Sequence, residues 1–516
     1  MHALVTTGHD AGAGGVPDLA RYQAPQNATR DFLTTLLKGS TKPPLYFASI
    51  PLKRKDTGAI EHVRMPFLLP HEMIAHIVGK KDLAPFQQWS PEVKQQINKV
   101  CSAIKGDIDN FIGIGLHGDG VPHQKRKSIE VLSWNIVSAG MSTRVPFAIL
   151  EKEFACACGC SGRHSLEPML EVFTWSIRCL MSGKYPTIAH DGTPMKDYDK
   201  GRAAKFNGPL PCIGGLAQLR GDWAWYKQIF QFPAWSNHSI CWLCNADKGE
   251  HPYWDFSLTA AWRRGRYSED QFWRKMRGEG IEPSCLFGLP GVSRDSITID
   301  ILHALDLGCA QDIVGNVMWS YMQSGCCIGP NRKAHIDYIV KKMKMHYKAM
   351  HTPNRLQTLT KDMLNQRNKG PKLRAKGAET RNVVPFAVQL AQELHQYDPT
   401  PENETILQMV ASLMDYYLCL GLVPFDQSLA AKCARQCCIL YSALKNPGDD
   451  RRWRVKPKFH LWSELSEFSE WGDPSFHWCY MDEDFVGWIA QLAGSQGGPR
   501  SAQNTALKVL KRYLAS

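Results

Sequence analysis

Residues 219–246, LRGDWAWYKQIFQFPAWSNHSICWLCNA, constrain this chain more than any other stretch. The segment opens with Asp222 just past a strand-like run, 213–219. It continues through a short aromatic helix to the pair Cys241 and Cys244. An acid at a strand end suits a divalent ion held by oxygen ligands. A Cys-x2-Cys pair suits zinc. One short stretch therefore carries the makings of two kinds of metal chemistry, and the elements around it decide whether either is assembled.

Upstream lie three more strand-like runs, 111–116, 128–137 and 145–150, joined by short connections that predict an antiparallel meander. A helix over 166–181 follows, with Ser165 as its N-cap and Gly183 as its terminator. In the order three strands, helix, strand, the first and fourth strands can lie side by side. Asp119, read as a turn residue between Gly118 and Gly120, would then meet Asp222. Lys125, Arg126 and Lys127 follow closely enough to serve phosphate; a solvated charge run reads the same way. Two carboxylates so close repel one another unless a cation such as Mg²⁺ or Mn²⁺ stands between them. A third acid is available in the tail at Asp482, Glu483 or Asp484.

The rest of the chain reads differently. Residues 1–43 form a loose arm, 45–70 a mixed segment, and 91–108 a helix capped by Ser90. From 255 to 455 the pattern is mainly helical, with helices at 299–322, 334–350, 384–394, 405–420 and 427–444, interrupted by a basic, glycine-punctuated stretch at 365–381. An amphipathic helix at 505–514 closes the chain. The predicted division is 1–105, an N-terminal arm and small mixed region; 106–254, the first part of an α/β core; 255–455, a helical insertion; and 456–516, the end of the core.

The formal charge of +12, from 61 basic and 49 acidic residues, favours an anionic partner, nucleic acid first, or serves solubility alone. The N-terminus shows no secretory signal. The most apolar segment, 406–425, contains Asp415 and Gly421 and reads as a buried helix rather than a membrane span. The 17 cysteines are therefore expected to be reduced and intracellular, either buried or metal-bound. Cys241 and Cys244 are half a zinc site or a pair of buried thiols. The missing ligands are sought first at His460, then at His238, His251, His303 and Glu464. Cys156, Cys158, Cys160 and His164 make a second compact zinc site, or a strand end and turn with one side chain in the core. No phosphate-cradling glycine loop, nucleophile elbow or nicotinamide fingerprint is present.

Four blocks, in order, resemble the DDE transposases of the CACTA (En/Spm) group and their Plavaka-like relatives. They are also similar to the wider set, with the hAT transposases and the V(D)J recombinase, in which helices interrupt an RNase H-like core. The blocks are Gly221-Asp222 with Cys241-x2-Cys244; Asp300-x2-His303 with Asp306-Leu307-Gly308; Pro457-Lys458-Phe459-His460; and Asp482-Glu483-Asp484-Phe485-Val486-Gly487. The resemblance implies an α/β fold with an RNase H-like mixed sheet, flanking helices and a large helical insertion. It implies a Mg²⁺- or Mn²⁺-binding triad of Asp119, Asp222 and Glu483, and Zn²⁺ held by Cys241, Cys244 and His460. Where the family often has a second histidine this chain has Glu464, so His303 is taken as the fourth zinc ligand.

The function so implied is cut-and-paste DNA transposition in the nucleus by two-metal phosphodiester chemistry. Its partners are transposon ends and target DNA, with no membrane and with room for a homo-oligomer. A catalytically inactive DNA-binding descendant and a zinc-stabilised interaction scaffold are the alternatives.

Overall fold

The computed structural model describes residues 41–124, 127–139, 142–365, 369–446, 448, 451–494 and 501–516. Almost all of the expected arm at 1–43, Lys125, Arg126 and part of the basic stretch 365–381 lie outside the described residues.

The chain begins with a hairpin in the segment read as mixed. Strands β1 (Tyr46–Lys53) and β2 (Ile60–Phe67) pair antiparallel, with alternate β1 residues buried. Helix α1 (Pro70–Val78) follows. Helix α2 (Pro91–Ala103) starts as expected, with the Ser90 hydroxyl accepting the Val93 N–H. It stops five residues short of the predicted 108, before a turn at 108–110 that leads into the sheet.

That sheet has four strands: β3 (Phe111–Gln124), β4 (Lys127–Ile136), β5 (Val145–Glu151) and β6 (Ile213–Gly221), in spatial order β5-β4-β3-β6. Strands β3, β4 and β5 form the expected meander. Strand β6 runs parallel to β3, with Gly118 opposite Gly221. Strand β3 is longer than predicted. Its pairing with β4 continues beyond the last β6 partner, so Asp119 sits within the strand opposite Val131 rather than in a turn.

Helix α3 (Arg163–Ser182) carries the chain from β5 to β6 and packs on β6. Gly183 closes it in the left-handed conformation, but Ser165 is not its N-cap. The helix begins after Gly162, because the Ser165 hydroxyl is used elsewhere. It donates to Pro51 O (2.7 Å) and accepts the Cys156 N–H (3.0 Å), tying the helix start to β1.

Helix α4 (Trp223–Phe230) follows β6 directly. A π-helical turn, Leu302–Cys309, then opens the helical part of the chain. It runs through α5 (Ala310–Gln323), α6 (Arg332–Ala349), α7 (Gly377–Tyr397), α8 (Pro401–Cys419) and α9 (Gln427–Ala443). Helix α7 starts seven residues earlier than its apolar period predicts, because its first turn is buried against Leu302 and Tyr480 at Gly377. Helices α10 (Pro457–Phe468), α11 (Tyr480–Gly494) and α12 (Ala502–Ala515) return the chain to the sheet. Helix α11 packs on β3, and α12 on β2 and β5. One large apolar core joins sheet and helices. Among the described residues no helix is long and apolar enough to cross a membrane. The fold is thus mixed α/β: a mixed sheet with many helices, and a mainly helical run from Leu302 to the C-terminal helices.

Candidate metal centres and a carboxylate cluster

After α4 the chain folds into a tight loop pinned by the bridge Ser239 to Asp247 and by Ile240 N–H donating to Ala246 O (3.1 Å). That loop turns the thiols of Cys241 and Cys244 inward, toward α10. There His460 and Glu464 lie one helical turn apart on one face. The four ligand atoms all lie within 4.8 Å of one another, and all four residues are buried. Cys244 Sγ is 3.3 Å from His460 Nε2, and His460 Nε2 is 3.8 Å from Glu464 Oε1.

This donor set fits a cation. Burial alone would raise the Cys241 thiol, yet hydrogen bonding from Cys244 and the charge on His460 hold it well below the ordinary thiol range. Burial and the neighbouring Cys241 charge push the Glu464 carboxyl up. Its Oε1 has no hydrogen-bond partner, while Oε2 accepts from Arg266 Nε at 3.2 Å. A buried thiolate and an orphaned carboxylate oxygen are costly unless a cation joins them. Two sulfurs, an imidazole and a carboxylate are compatible with zinc, with Arg266 steadying the carboxylate from outside. The fourth ligand position therefore belongs to Glu464. His303, expected there, sits in a different cluster because the π-helical turn points it at α11. His238 and His251 are also absent from the centre; both face Asp247, with His251 Nδ1 at 3.2 Å.

The second cysteine group also assembles. Cys156, Cys158, Cys160 and His164 bring their ligand atoms within 4.8 Å of one another, with Cys158 Sγ 3.2 Å from His164 Nδ1. Cys156 is buried, whereas Cys158 and His164 are exposed. This set too can hold a metal ion and is compatible with zinc.

The acids form a third group. The β3–β6 register sets Asp119 and Asp222 each one residue beyond the Gly118–Gly221 pair. Both glycines face the ring of Trp225, where a Cβ at Gly118 would collide with the indole. Asp222 caps α4, accepting the Trp225 N–H at 2.7 Å. Asp119 accepts the N–H of Gly120 at 2.7 Å.

Of the three tail acids, Asp482 is buried and takes Arg144 Nε (2.9 Å) and Arg220 Nη2 (3.0 Å). Arg220 Nη2 also donates to Asn135 (2.6 Å). This network fixes α11 to β4, to β6 and to the residue that leads into β5. Asp484 is exposed. Glu483, between them, is half-buried and faces His303. Burial raises its carboxyl to about 7, with added repulsion from Asp119, Asp300 and Asp222. Those mutual charges bring Asp119, Asp222, Asp300 and Glu483 into one electrostatic neighbourhood. They do not gather as closely as the cysteine centres do, since no three of their oxygens come within 4.8 Å of one another.

The sequence places Asp300 and His303 in one block, and the structure joins them in a cluster of their own. Asp300 accepts the N–H groups of Leu302 (3.1 Å), His303 (3.1 Å) and Cys479 (2.9 Å), and the His303 ring at 2.6 Å. Burial disfavours the imidazolium of His303, but its bond to Asp300 and the charges of Glu483 and Asp222 overcome this and raise it to about 9. Its Nε2 lies 3.7 Å from Glu483 Oε1. Beside these groups opens a cavity of about 560 Å³, lined by Asp222, Asp300 and His303 with Trp223, Trp235 and Tyr253. The buried arginine immediately before Gly221-Asp222 was the available clue to the Asp482 anchor, since an unpaired guanidinium is rarely buried.

Comparison with protein-family models and with curated proteins returns no match to this chain.

Proposed function

We propose that the chain is a metal-dependent DNA nuclease of the DDE transposase type, built on an RNase H-like core and acting in the nucleus. The observation that carries this reading is the parallel register of β3 and β6, which sets Asp119 and Asp222 each one residue beyond the Gly118–Gly221 pair, with α11 packed on β3. The strand order, with the first strand of the meander between the second and the parallel fourth, also suits an RNase H-like sheet.

In this reading Asp119, within β3, and Asp222, just after β6, present neighbouring carboxylates, and Glu483 completes the set. Mg²⁺ or Mn²⁺ bound there would lower the pKa of an attacking water or 3′-OH and stabilise the leaving oxygen of the phosphodiester. Asp482 positions Glu483 by anchoring α11 through Arg144 and Arg220. Asp300 orients His303, whose cationic ring faces Glu483 and favours its ionised form. The Cys241 centre ties the loop after α4 to α10, and so joins the Asp222 segment to the C-terminal helices that carry Glu483.

The test is nicking of supercoiled DNA in Mn²⁺. Asp222→Ala and Glu483→Gln should each abolish it, with losses of at least about 100-fold. Undiminished nicking by either variant sinks the mechanism. The wider spacing of the carboxylates favours one second reading, a DNA-binding protein without the chemistry. Salt-sensitive DNA binding with no metal-dependent cleavage by the wild-type chain would select it.

A further inference from the structure

A second cavity, of about 820 Å³, adjoins the aromatic recess beside the carboxylates and shares Asp312, Lys372, Arg454 and Lys456 with it. Its walls come from α5, from the segment 369–376 and from the segment 451–456. The last two are distant in sequence, yet Gly370 packs so closely on the Arg451 carbonyl that a Cβ there would collide with it. The segment around 372 is strapped down by backbone hydrogen bonds: Leu373 N–H to Gln311 O, Lys372 N–H to Leu364 O and Arg374 N–H to Met363 O, each 2.8 Å.

The described lining carries seven lysines and arginines against two carboxylates. Both carboxylates are already engaged. Asp312 pairs with Lys456 at 2.6 Å, and Glu379 accepts the Lys376 N–H at 2.9 Å. Burial lowers the Lys372 ammonium, and Lys456, Lys458 and Arg374 add repulsion that Asp312 only partly offsets. Crowded cations in a concave, partly buried wall focus a positive potential, which favours a ligand with several closely spaced negative charges. Arg454 and Lys376 are exposed to the cavity mouth, where such a ligand would enter.

We infer that this cavity binds the phosphodiester backbone of a single nucleic-acid strand running from the carboxylate cluster past the aromatic recess. The continuity of the two cavities gives the strand its path. Trp223, Trp235 and Tyr253 give unstacked bases a surface on which to lie. The identity of the occupant rests on the nuclease reading proposed above; the anion-binding character of the cavity does not.

The experiment measures binding of a labelled 20-nucleotide single strand to the full chain at several salt concentrations, with no added Mg²⁺ or Mn²⁺. A failure of cleavage therefore leaves this result untouched. Arg374→Gln/Lys376→Gln/Arg454→Gln should weaken binding about 100-fold at 0.1 M salt and flatten the salt slope by about 2, as expected for three lost phosphate contacts. Retained zinc content and melting behaviour show that the triple variant is folded. A control on α6, Lys341→Gln/Lys344→Gln/Lys348→Gln, removes the same charge from exposed positions away from the cavity. An equal loss in the control, or no loss in the cavity variant, overturns the proposal. Binding of inorganic tripolyphosphate without binding of the oligonucleotide overturns the strand and assigns the cavity to a free polyphosphate.

Discussion

The two cysteine centres use similar donors in opposite ways. Cys156, Cys158, Cys160 and His164 come from one short segment that runs from after β5 into the first turn of α3, and two of the four are exposed. Cys244 and His460 are 216 residues apart, and every member of their centre is buried. A local, exposed site needs little of the fold in order to form. A metal ion held there would order a turn and be open to exchange with solvent. A site assembled from a loop after β6 and a helix near the C-terminus exists only when both are in place. Cation binding there is coupled to folding itself. The difference teaches that donor chemistry alone does not define a structural metal; sequence separation and burial do.

The sharpest way to break this comparison is Cys241→Ser. It leaves Cys244, His460 and Glu464 buried without a complete set of ligands, and should cost about 3–5 kcal/mol in denaturant unfolding, with loss of one metal equivalent. An unchanged unfolding midpoint would reduce the centre to packed thiols.

Acid should separate the two centres. Burial depresses His71 to about 3 and His477 to about 4. Both folded values lie below the unfolded value of about 6.5, so the unfolded chain binds more protons between them. The stability that these rings contribute is therefore complete above about 6.5 and is lost as pH falls toward 4 and then 3. Zinc should leave the Cys241 centre together with this loss of fold, and leave the Cys158 group before it. Chelator-detected zinc release run alongside circular dichroism reads both events. Release of all zinc in one step at the unfolding transition would erase the distinction.

The smallest effect is expected for Cys158→Ser. It should remove one metal equivalent while changing stability by about 1 kcal/mol or less, as substitutions at exposed positions do. Full metal content in that variant would mean that the exposed group holds no ion.

Much of the sheet was legible because its signals are local. The runs at 128–137 and 145–150 emerge nearly at their predicted bounds, and the β6 run at 213–219 extends only to Gly221. Asp119 was misread as a turn residue because the glycines beside it resemble a strand end, whereas the β4 partner carries the strand onward. Ser165 was misread as a cap because its hydroxyl partner, Pro51 O, lies on a strand 114 residues away. Of the four residues that could hold a metal ion, Cys241, Cys244 and His460 were legible in the sequence. Choosing Glu464 over His303 required knowing that α10 presents positions one turn apart to the cysteine loop, and that the π-helical turn aims His303 at Glu483.

By itself the sequence determined the strand and helix types, the Cys-x2-Cys half-site, the local Cys156 group and the order of the acidic positions, because each depends on neighbours within a few residues. Only the tertiary structure decided which tail acid faces the sheet edge. Asp482, Glu483 and Asp484 are consecutive and chemically alike, and the buried Arg144 and Arg220 claim the first of them, leaving the second to face Asp119 and Asp222. Burial and long-range charge pairing have no signature in a window of ten residues, so that choice is made only when β3, β6 and α11 meet.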